Sequence, residues 1–332
     1  MKVLITGAAG FIGSRIARRM LAEGHDVVGV DAWRDYYALD QKRANVEDLL
    51  AHERFALEDL DLSAADLTSV VDGTAVVFHQ AAQPGVRRSW GEFDTYVRDN
   101  VESTQRLLAA CAGSPSLQRF VYASSSSVYG DAVSFPARED ALPAPRSPYG
   151  VTKLAAEHLV SLYADNFGVP TVSLRYFTVY GPGQRPDMAL HRFINAVAAG
   201  EEVTVFGDGN QVRDFTYVAD AVAATVAAIE ADVAPVTVLN VAGGSPTTVA
   251  DLLSLVSEQV GRPAILRHLP DQPGDVRVTS GATERARRLL GWRPEVPLDE
   301  GVKRQVAYQL GDGRPRARSS VRPGDARSGP RR

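Results

Sequence analysis

Short apolar runs recur along the first part of the chain, and each is followed by small or polar residues. They lie at residues 2–6, 26–31, 55–62, 75–79 and 119–123. Near-continuous hydrophobic runs of this length are typical of parallel strands that are buried on both faces. Residues 14–23 and 96–111, which lie between these runs, are predicted to form helices. Strands that alternate with helices in this way predict an α/β fold with a doubly wound parallel sheet.

The first run leads into a glycine-rich loop, Gly7 to Gly13, and then into a helical pattern. Glycines here allow a tight turn and a close approach of the backbone to a pyrophosphate, which then faces the helix N-terminus. The GxxGxxG spacing matches the general dinucleotide fingerprint only in part. The second run ends in Asp31, about 20 residues further on, where a carboxylate can bind an adenosine ribose hydroxyl. An acid there favours NAD over NADP, although Arg34 nearby leaves NADP open as an alternative.

A tyrosine and a lysine four residues apart, Tyr149 and Lys153, stand at the start of a helical pattern that follows Pro148. Positions i and i+4 share one helix face, so the phenol and the ammonium can point at the same place. A phenol with a pKa of about 10 is a poor base at neutral pH, and a nearby cation lowers that pKa. The pair is therefore a candidate general base with its activator. A surface lysine beside a helix-start tyrosine is the alternative.

Small and polar residues follow three of the other strands. The serines Ser124 to Ser127 form either a solvated loop or, at the carboxyl end of a central strand, a set of hydroxyl donors to a substrate. Residues 80–85 are small enough for close contact with a ligand over the sheet edge. The third run offers Asp59 and Asp61 as acids beside the adenine, and we favour Asp61.

The composition narrows the class of protein. Of the 332 residues, 45% are hydrophobic and 23% are charged, which is ordinary for a soluble globular protein. No apolar run approaches the ~20 residues that span a bilayer, and Met1 leads directly into the first strand, so we expect neither a membrane segment nor a signal peptide. One cysteine, Cys111, excludes an internal disulfide framework, and the histidines lack zinc-type spacing. The net charge of −4 indicates no nucleic-acid partner, and we expect a cytoplasmic protein.

The glycine loop, Asp31, Ser125 and the Tyr149/Lys153 pair together resemble the extended short-chain dehydrogenase/reductases that act on nucleotide sugars. The resemblance covers the chain up to about residue 310. It implies a Rossmann-type doubly wound parallel sheet with a smaller C-terminal α/β substrate-binding lobe. It also implies a homodimer that is packed through helices near residues 100–112 and 149–167.

The same resemblance implies how the chain is divided. The NAD-binding Rossmann domain takes residues 1–180, with later segments near 207–260 that return to it. Residues 181–206 and 261–310 form the substrate-binding lobe. The last segment, 311–332, holds seven arginines against two aspartates, with several Gly, Ser and Pro. A segment of this composition cannot bury a core, so we predict a disordered basic tail; attraction to nucleic acid or membrane through the tail is an alternative.

Three further runs resemble the UDP-glucuronate 4-epimerases within this group. They are Asp35-Tyr36-Tyr37, Gly181-Pro182 followed by Arg185-Pro186-Asp187-Met188-Ala189, and Gln272-Pro273-Gly274-Asp275-Val276. The Arg-Pro-Asp-Met-Ala run is the most specific of the three. Nucleotide-sugar 4,6-dehydratases carry an Asp-Glu pair just after the Ser/Thr, and UDP-glucuronate decarboxylases carry a Glu two residues before the Tyr-Gly. Ser126 and Ser127 stand at those positions, so the acid/base that elimination needs is lacking.

The resemblance assigns roles to residues at matching positions. The predicted catalytic residues are Ser125, which hydrogen-bonds the reacting hydroxyl, Tyr149 and Lys153. The predicted cofactor residues are Gly7, Gly10, Phe11, Ile12, Gly13, Asp31, Asp61, Leu62, Gln80, Ala81, Ala82, Asn100, Tyr149, Lys153 and Tyr176. The predicted substrate residues are Ser126, Ser127, Thr178, Arg185, Arg192, Val205, Phe206, Arg213 and Asp275. No metal is expected.

Two arginines carry most of the expected substrate recognition. Arg213 is expected to face the diphosphate, with a surface ion pair as its alternative. Arg185 is expected at the cleft edge, together with the Thr178 hydroxyl, where the C6 group of the sugar lies. A pairing of Arg185 with Asp187, which would only shape the loop, is the alternative. Arg192 is either a nucleotide contact or a solvated surface residue.

The resemblance implies an isomerase with bound NAD that epimerises a UDP-sugar at C4 through a transient 4-keto intermediate. The expected conversion is UDP-glucuronate to UDP-galacturonate. A UDP-glucose/UDP-galactose 4-epimerase uses the same core with a neutral C6 group and stays open. A non-catalytic NAD-binding regulator is the alternative from another class, and the intact Ser125, Tyr149 and Lys153 argue against it. Beyond the UDP-sugar and a second copy of the chain, we expect neither nucleic acid nor membrane as a partner.

Overall fold

The computed structural model describes residues 1–131 and 134–311. Its strands are β1 (Lys2–Thr6), β2 (Asp26–Asp31), β3 (Phe55–Asp59), β4 (Val76–His79), β5 (Arg119–Ser125), β6 (Thr171–Tyr176), β7 (Thr178–Tyr180), β8 (Glu202–Phe206), β9 (Val212–Tyr217), β10 (Thr237–Val241), β11 (Pro246–Thr248) and β12 (Ile265–Leu269). Its helices are α1 (Gly13–Ala22), α2 (Leu39–Val46), α3 (Thr68–Val71), α4 (Phe93–Tyr96), α5 (Ser103–Cys111), α6 (Pro148–Phe167), α7 (Ala189–Ala199), α8 (Val218–Ala227), α9 (Val249–Val260), α10 (Glu284–Leu290) and α11 (Leu298–Leu310). A π-helical segment, Val97–Glu102, joins α4 to α5, and 3₁₀ turns occupy Arg88–Trp90 and Ser126–Val128.

Seven strands form one parallel sheet in the order β10-β6-β5-β4-β1-β2-β3. Because β1 and β4 are neighbours, the chain winds outward from them in opposite directions. The doubly wound parallel sheet predicted from the sequence is therefore confirmed. In such a sheet, ligands bind outside the carboxyl ends of the strands at the point where the winding direction changes.

Two hydrophobic cores cover the two faces of this sheet. Alternate residues of a strand point to opposite faces, so Ile5 packs in the core beneath α1 and α8, whereas Leu4 packs in the core beneath α5 and α6. All four residues of β4 are buried. Burial on both faces explains why residues 76–78 of this strand are all apolar.

A third core lies in the second half of the chain. Its buried side chains include Tyr180, Leu190, Ile194, Val203, Phe215, Leu252, Val256 and Val302. Here β11, β9 and β7 form a second sheet and β12 pairs with β8, whereas β10 returns to the large sheet beside β6. The boundaries predicted for the two lobes stay a prediction. The predicted tail beyond residue 311 lies outside the described residues.

Helix α6 begins and ends on signals that its sequence carries. The Ser147 hydroxyl accepts a hydrogen bond from the N–H of Gly150 at 3.1 Å, and Pro148 fills the first turn. The helix ends at Gly168, which has a φ of 67°. Tyr149 therefore lies in the first turn, and Lys153 follows one turn later on the same face. Of the helices in the described ranges, none has both the length and the apolar character needed to cross a membrane.

Candidate active site

A cavity of about 940 Å³ runs along the carboxyl ends of the parallel strands. Its volume is at the upper end of the roughly 300–1,000 Å³ that ligand pockets occupy. The predicted site residues that line it are Gly7, Gly10, Phe11, Ile12, Gly13, Asp31, Asp61, Leu62, Gln80, Ala81, Ala82, Ser125, Ser126, Ser127, Tyr149, Lys153, Tyr176, Thr178, Arg185, Arg192, Val205, Phe206, Arg213 and Asp275. Residues that are far apart in the sequence thus face one ligand space.

The glycine loop leaves its backbone bare at the start of α1. Gly7 has a φ of 67°, and a Cβ there would lie only 2.9 Å from the backbone nitrogen of Ala81. A Cβ on Gly13 would collide with the carbonyl oxygen of Gly7. The close packing of β1, β4 and α1 therefore requires glycine at both positions. A loop without side chains at a helix N-terminus fits the pyrophosphate of a dinucleotide.

Asp31 is held by three neighbours at the end of β2. One carboxylate oxygen accepts the N–H of Ala9 at 3.1 Å, and the other accepts the N–H of Trp33 and the ammonium of Lys42, both at 2.9 Å. The Asp31 side chain is only 6% exposed. Lys42 belongs to α2, a short polar helix that the apolar pattern did not predict. A cation therefore lies directly beside this carboxylate, an arrangement that was not predicted from the sequence.

Arg34, the residue that left NADP open, is paired with acids. Its guanidinium donates to Asp61 at 2.7 Å and lies 3.4 Å from Asp99. Asp61 lines the cavity, whereas Asp59 ends β3 and is exposed. A guanidinium engaged by two carboxylates is less available to a ribose 2′-phosphate, so this pairing favours NAD.

The three predicted catalytic residues come from the end of β5 and the start of α6. Ser125 is the last residue of β5, and its hydroxyl accepts the N–H of Ser127 at 3.1 Å. Lys153 is 3% exposed, and its Nζ lies 4.3 Å from the centroid of the Tyr122 ring. Tyr149 stands on the same helix face one turn earlier. A hydroxyl, a phenol and an amine thus line one part of the cavity.

Burial shifts the pKa values of the Tyr149 phenol and the Lys153 amine in the directions that favour the neutral form of each group. It lowers the pKa of Lys153 to about 7, while the charge of Glu157 acts in the opposite direction. It raises the pKa of Tyr149 above its usual value, and a hydrogen bond with Ser125 and the charge of Arg185 oppose that rise. The phenolate therefore depends on neighbouring donors and cations for its stability.

Asn100 is the predicted cofactor residue that does not line the cavity. It lies in the π-helical segment and is 1% exposed. Its side-chain oxygen accepts the N–H of Gln83 at 2.6 Å, and its nitrogen donates to the carbonyl of Gln83 at 3.1 Å and to the hydroxyl of Thr152 at 3.0 Å. All of these bonds tie the loop after β4 to α6. In this arrangement Asn100 holds the loop after β4 against α6. Both hydrogens of its side-chain amide are already donated, so neither is free for a cofactor.

A buried histidine that the sequence did not single out fixes the end of β4. The ring of His79 is hydrogen-bonded to the hydroxyls of Thr6 at 2.7 Å and Thr104 at 2.9 Å. Burial lowers the pKa of His79 to about 3, so the ring is neutral. The Thr6 hydroxyl in turn accepts the N–H of Ala81 at 3.1 Å. This chain of bonds sets the backbone of residues 80–82 at the cavity edge.

The far side of the cavity carries an acid between two arginines. Asp275 accepts a hydrogen bond from Arg213 at 2.8 Å and lies 3.8 Å from Arg87. The Arg87 guanidinium stacks 4.0 Å from the centroid of the Phe206 ring. Arg213 therefore forms the ion pair that was named as its alternative role. Both members of this pair line the cavity. Arg87 was not predicted as a site residue, because its only signal in the sequence is its position in a loop after a strand.

Arg185 makes the contact that was named as its alternative. Its guanidinium donates two hydrogen bonds of 3.0 Å to Asp187. It also lies 5.9 Å from the centroid of the Tyr36 ring, and Arg88 lies 4.8 Å from the same ring. Both arginines and Tyr36 line the cavity with Thr178. A substrate carboxylate at this place would share Arg185 with Asp187.

The charged residues of the site do not form a metal centre. Within residues 1–131 and 134–311, no cluster of three or more His, Cys, Asp or Glu side chains is arranged to hold a metal ion.

Comparison with known proteins identifies relatives over nearly the whole chain. Residues 3–242 match the NAD dependent epimerase/dehydratase family. An uncharacterized UDP-glucose epimerase, YtcB, of Bacillus subtilis (strain 168) is 41% identical over 93% of this chain and 98% of its own. The UDP-glucuronate 4-epimerase of Thermodesulfobacterium geofontis is 35% identical over 92% and 95%. The crystal structure of UDP-glucuronic acid 4-epimerase from Bacillus cereus with UDP-glucuronic acid and NAD superposes with a TM-score of 0.90 at 42% identity, over 93% of this chain and 99% of the other.

Proposed function

Because the chain belongs to the NAD dependent epimerase/dehydratase family, as the match over residues 3–242 shows, we propose that it epimerises UDP-glucuronate at C4 to give UDP-galacturonate. The family predicted from the sequence is thereby confirmed. One observation carries the proposal: Ser125, Tyr149, Lys153 and Arg185 line the same cavity. A base, its activating cation and a guanidinium for a carboxylate therefore face a single ligand space.

The cofactor is NAD, and one end of the cavity suits it. The bare backbone of the glycine loop is the place for the pyrophosphate. Asp31 is the acceptor for the adenosine ribose hydroxyls, and Asp61 with Leu62 borders the adenine. Lys153 also lines the cavity, and it would hold the nicotinamide ribose. When bound, NAD supplies the hydride chemistry at C4 that no side chain can supply.

The protein contributes proton transfer and orientation to the reaction. Tyr149 takes the proton from O4 as C4 is oxidised, and the charge of Lys153 stabilises the phenolate. The Ser125 hydroxyl hydrogen-bonds O4 and holds it beside the phenol. The 4-keto sugar then turns its other face toward the cofactor side of the cavity. Tyr149 returns the proton to O4 when hydrogen is restored to C4, so no external oxidant is consumed.

The C6 carboxylate creates a hazard that the site must control. A 4-keto sugar with this carboxylate is a β-keto acid and can lose carbon dioxide. Arg185 and Thr178 hold the carboxylate in an orientation that resists this loss, and Ser126 and Ser127 offer no general acid for elimination. Substantial release of a UDP-pentose by the wild-type protein would contradict this part of the proposal.

A neutral sugar is the second candidate substrate, and one observation favours it. Asp187 already satisfies Arg185 with two hydrogen bonds, and a C6 hydroxymethyl group needs no cation. UDP-glucose/UDP-galactose 4-epimerisation would use the same Ser125, Tyr149 and Lys153. Incubating the purified protein with UDP-glucuronate and with UDP-glucose, then separating the epimers, decides between the two substrates. No turnover of either sugar would indicate a non-catalytic NAD-binding protein instead.

NAD is expected to co-purify with the protein, because the reaction returns the cofactor to its starting state. Chromatography of a denatured extract measures which dinucleotide is present. The contacts of Asp31 and the pairing of Arg34 with Asp61 predict NAD and little NADP. An extract that holds NADP alone, or an apoprotein that requires NADP for activity, would refute this preference.

The oligomeric state of the protein and its location in the cell are also proposals. Apolar side chains are exposed on α4, the π-helical segment and α6, namely Phe93, Val97, Val151 and Leu162. A second copy of the chain that packs on these helices would cover them. The family resemblance implies an interface near residues 100–112 and 149–167, which includes Val151 and Leu162 but not Phe93 and Val97. Sedimentation equilibrium at micromolar concentration tests the dimer, and a monomer there would exclude it. The cytoplasmic location stays a prediction from composition.

A further inference from the structure

A turn at residues 181–184 connects the end of β7 to Arg185, whose guanidinium is assigned to the sugar carboxylate in the proposed reaction. The N–H of Gln184 donates to the carbonyl of Gly181 at 3.0 Å and closes the turn. Gly181 has a φ of 135° and Gly183 has a φ of 76°, values that glycine adopts readily and other residues rarely do. The conformation of this turn therefore sets the direction in which Arg185 leaves β7.

Two side chains from the helices next to the predicted cofactor site hold this turn. Arg15 on α1 donates to the carbonyl of Pro182, and a Cβ on Gly183 would lie only 2.9 Å from the Arg15 guanidinium. Gln41 on α2 donates from its amide nitrogen to the carbonyls of Gly183 and Gln184, at 3.0 and 3.1 Å. Three successive carbonyls of the turn thus accept hydrogen bonds from α1 and α2.

Helix α11 holds the other side of the turn. Gln305 accepts the N–H of Gly181 at 2.8 Å, and its amide nitrogen donates to the side chain of Gln184 at 2.8 Å. Gln305 and Gln184 are 0% and 1% exposed, so this side of the turn is fully buried. Gln305 therefore fixes the turn against the third core, whereas Arg15 and Gln41 fix it against the helices of the large sheet.

Both of these anchors adjoin residues of the predicted cofactor site. Arg15 donates to the carbonyl of Phe11 at 3.0 Å, and its guanidinium lies 4.9 Å from the centroid of the Phe11 ring. Gln41 directly precedes Lys42, which donates to Asp31 at 2.9 Å. Neither Arg15 nor Gln41 is among the residues that line the cavity. An effect of either residue on sugar binding is therefore indirect, and the turn is the segment that both of them share.

We propose that Arg15 and Gln41 are positioning residues for sugar recognition: they fix the 181–184 turn against α1 and α2 and thereby place the Arg185 guanidinium beside the C6 group. The pairing of Arg185 with Asp187 cannot do this, because it joins residues two positions apart in the same segment. The part of this inference that concerns the sugar rests on the proposed function. The part that concerns the turn does not, because it describes the protein without a substrate.

Gln41→Leu tests the role in sugar recognition without a change of charge. The variant removes both hydrogen bonds to the turn and keeps a side chain of similar size at a half-buried position. Binding is measured by calorimetry on the NAD-loaded protein in a Tyr149→Phe background, which prevents turnover during the titration. The affinity for UDP-glucuronate should fall by about 3- to 10-fold, the scale of one or two hydrogen bonds between neutral groups, whereas the affinity for UDP-glucose should stay near the value of the background. Equal losses for both sugars, or no loss, would overturn the proposal.

Arg15→Met tests the second anchor, and Arg18→Met is its matched control. Arg15→Met removes the donor to the turn and keeps an unbranched side chain, so it should weaken UDP-glucuronate binding selectively. Arg18 lies on the same helix, but its guanidinium donates to Asp48 at 2.7 Å and to the carbonyl of Asn45 at 2.6 Å. Arg18→Met removes the same charge from α1 and should leave the ratio of the two affinities unchanged. An equal change of this ratio in both variants would show an effect of charge and would overturn the role of Arg15.

Hydrogen–deuterium exchange of the NAD-loaded protein gives a readout that needs no substrate. Peptides that cover residues 181–188 should exchange faster in Gln41→Leu and in Arg15→Met than in the wild type or in Arg18→Met, because fewer contacts hold the turn. Unchanged exchange in this segment overturns the proposal, and so does faster exchange throughout the chain, α6 included, which would show a general loss of stability. If the wild type binds UDP-glucuronate no more tightly than UDP-glucose, the proposed substrate fails, while the exchange result still decides whether the two residues hold the turn.

Discussion

Replacing Tyr149 with phenylalanine is expected to lower turnover of UDP-glucuronate by about 10²–10⁴-fold, the usual worth of a general acid–base group. The variant keeps the aromatic ring, which contacts Tyr96 edge-on with the centroids 6.2 Å apart. It loses the phenolic oxygen, which as the phenolate would accept the O4 proton and which is hydrogen-bonded to Ser125. Binding of NAD and UDP-glucuronate, measured by calorimetry, should therefore change little while the steady-state kcat collapses.

Tyr163→Phe is the matched control for this experiment. Tyr163 lies on the same helix, and its hydroxyl accepts one hydrogen bond from Gln105 at 2.7 Å. It is outside the cavity lining, so removal of its hydroxyl should leave turnover within a few-fold of the wild type. Near-normal turnover of Tyr149→Phe would mean that another group is the base.

Replacing Arg185 with alanine is expected to reduce kcat/KM for UDP-glucuronate and to spare UDP-glucose. A guanidinium forms charge-assisted hydrogen bonds with a carboxylate but gains little from a hydroxymethyl group. Hydrogen bonds to charged groups contribute roughly 1.5–3 kcal/mol, which is about 10- to 150-fold in affinity. Measuring kcat/KM on both sugars separates recognition of the carboxylate from a general loss.

The pairing of Arg185 with Asp187 supplies the control for that result. Asp187→Asn removes the competing charge but keeps an acceptor near the guanidinium. It should leave UDP-glucuronate turnover intact or improve it, because the substrate carboxylate no longer shares Arg185. Equal losses on both sugars in Arg185→Ala, with the same losses in Asp187→Asn, would make the pair a loop-shaping element. A wild-type preference for UDP-glucose would overturn the substrate assignment itself.

Structural features that depend on residues adjacent in the sequence were predictable. Ser147 and Pro148 mark the start of α6 because capping and φ restriction act within one turn. That start sets the positions of Tyr149 and Lys153 on one face. The apolar runs predicted the parallel sheet because strands buried on both faces have no polar side to interrupt them.

Contacts between distant segments were not predictable in the same way. Arg87 stacks on Phe206, and no periodicity connects a loop after β4 with the end of β8. Lys42 on α2 binds Asp31, but the sequence of this helix is polar and resembles that of a loop, so the helix was not predicted. Asn100 lies in a π-helical segment, and its side-chain amide is hydrogen-bonded to buried groups that cannot be identified from the sequence.

The central claim is that C4 is oxidised and reduced within one active site while Tyr149 moves the O4 proton. The most direct measurement is the fate of deuterium at C4 of UDP-glucuronate in ordinary water. The account predicts UDP-galacturonate that retains the deuterium at C4, because the hydrogen that leaves C4 returns to C4 without exchange with solvent. Product that has lost the deuterium to water, or no UDP-galacturonate at all, would contradict it.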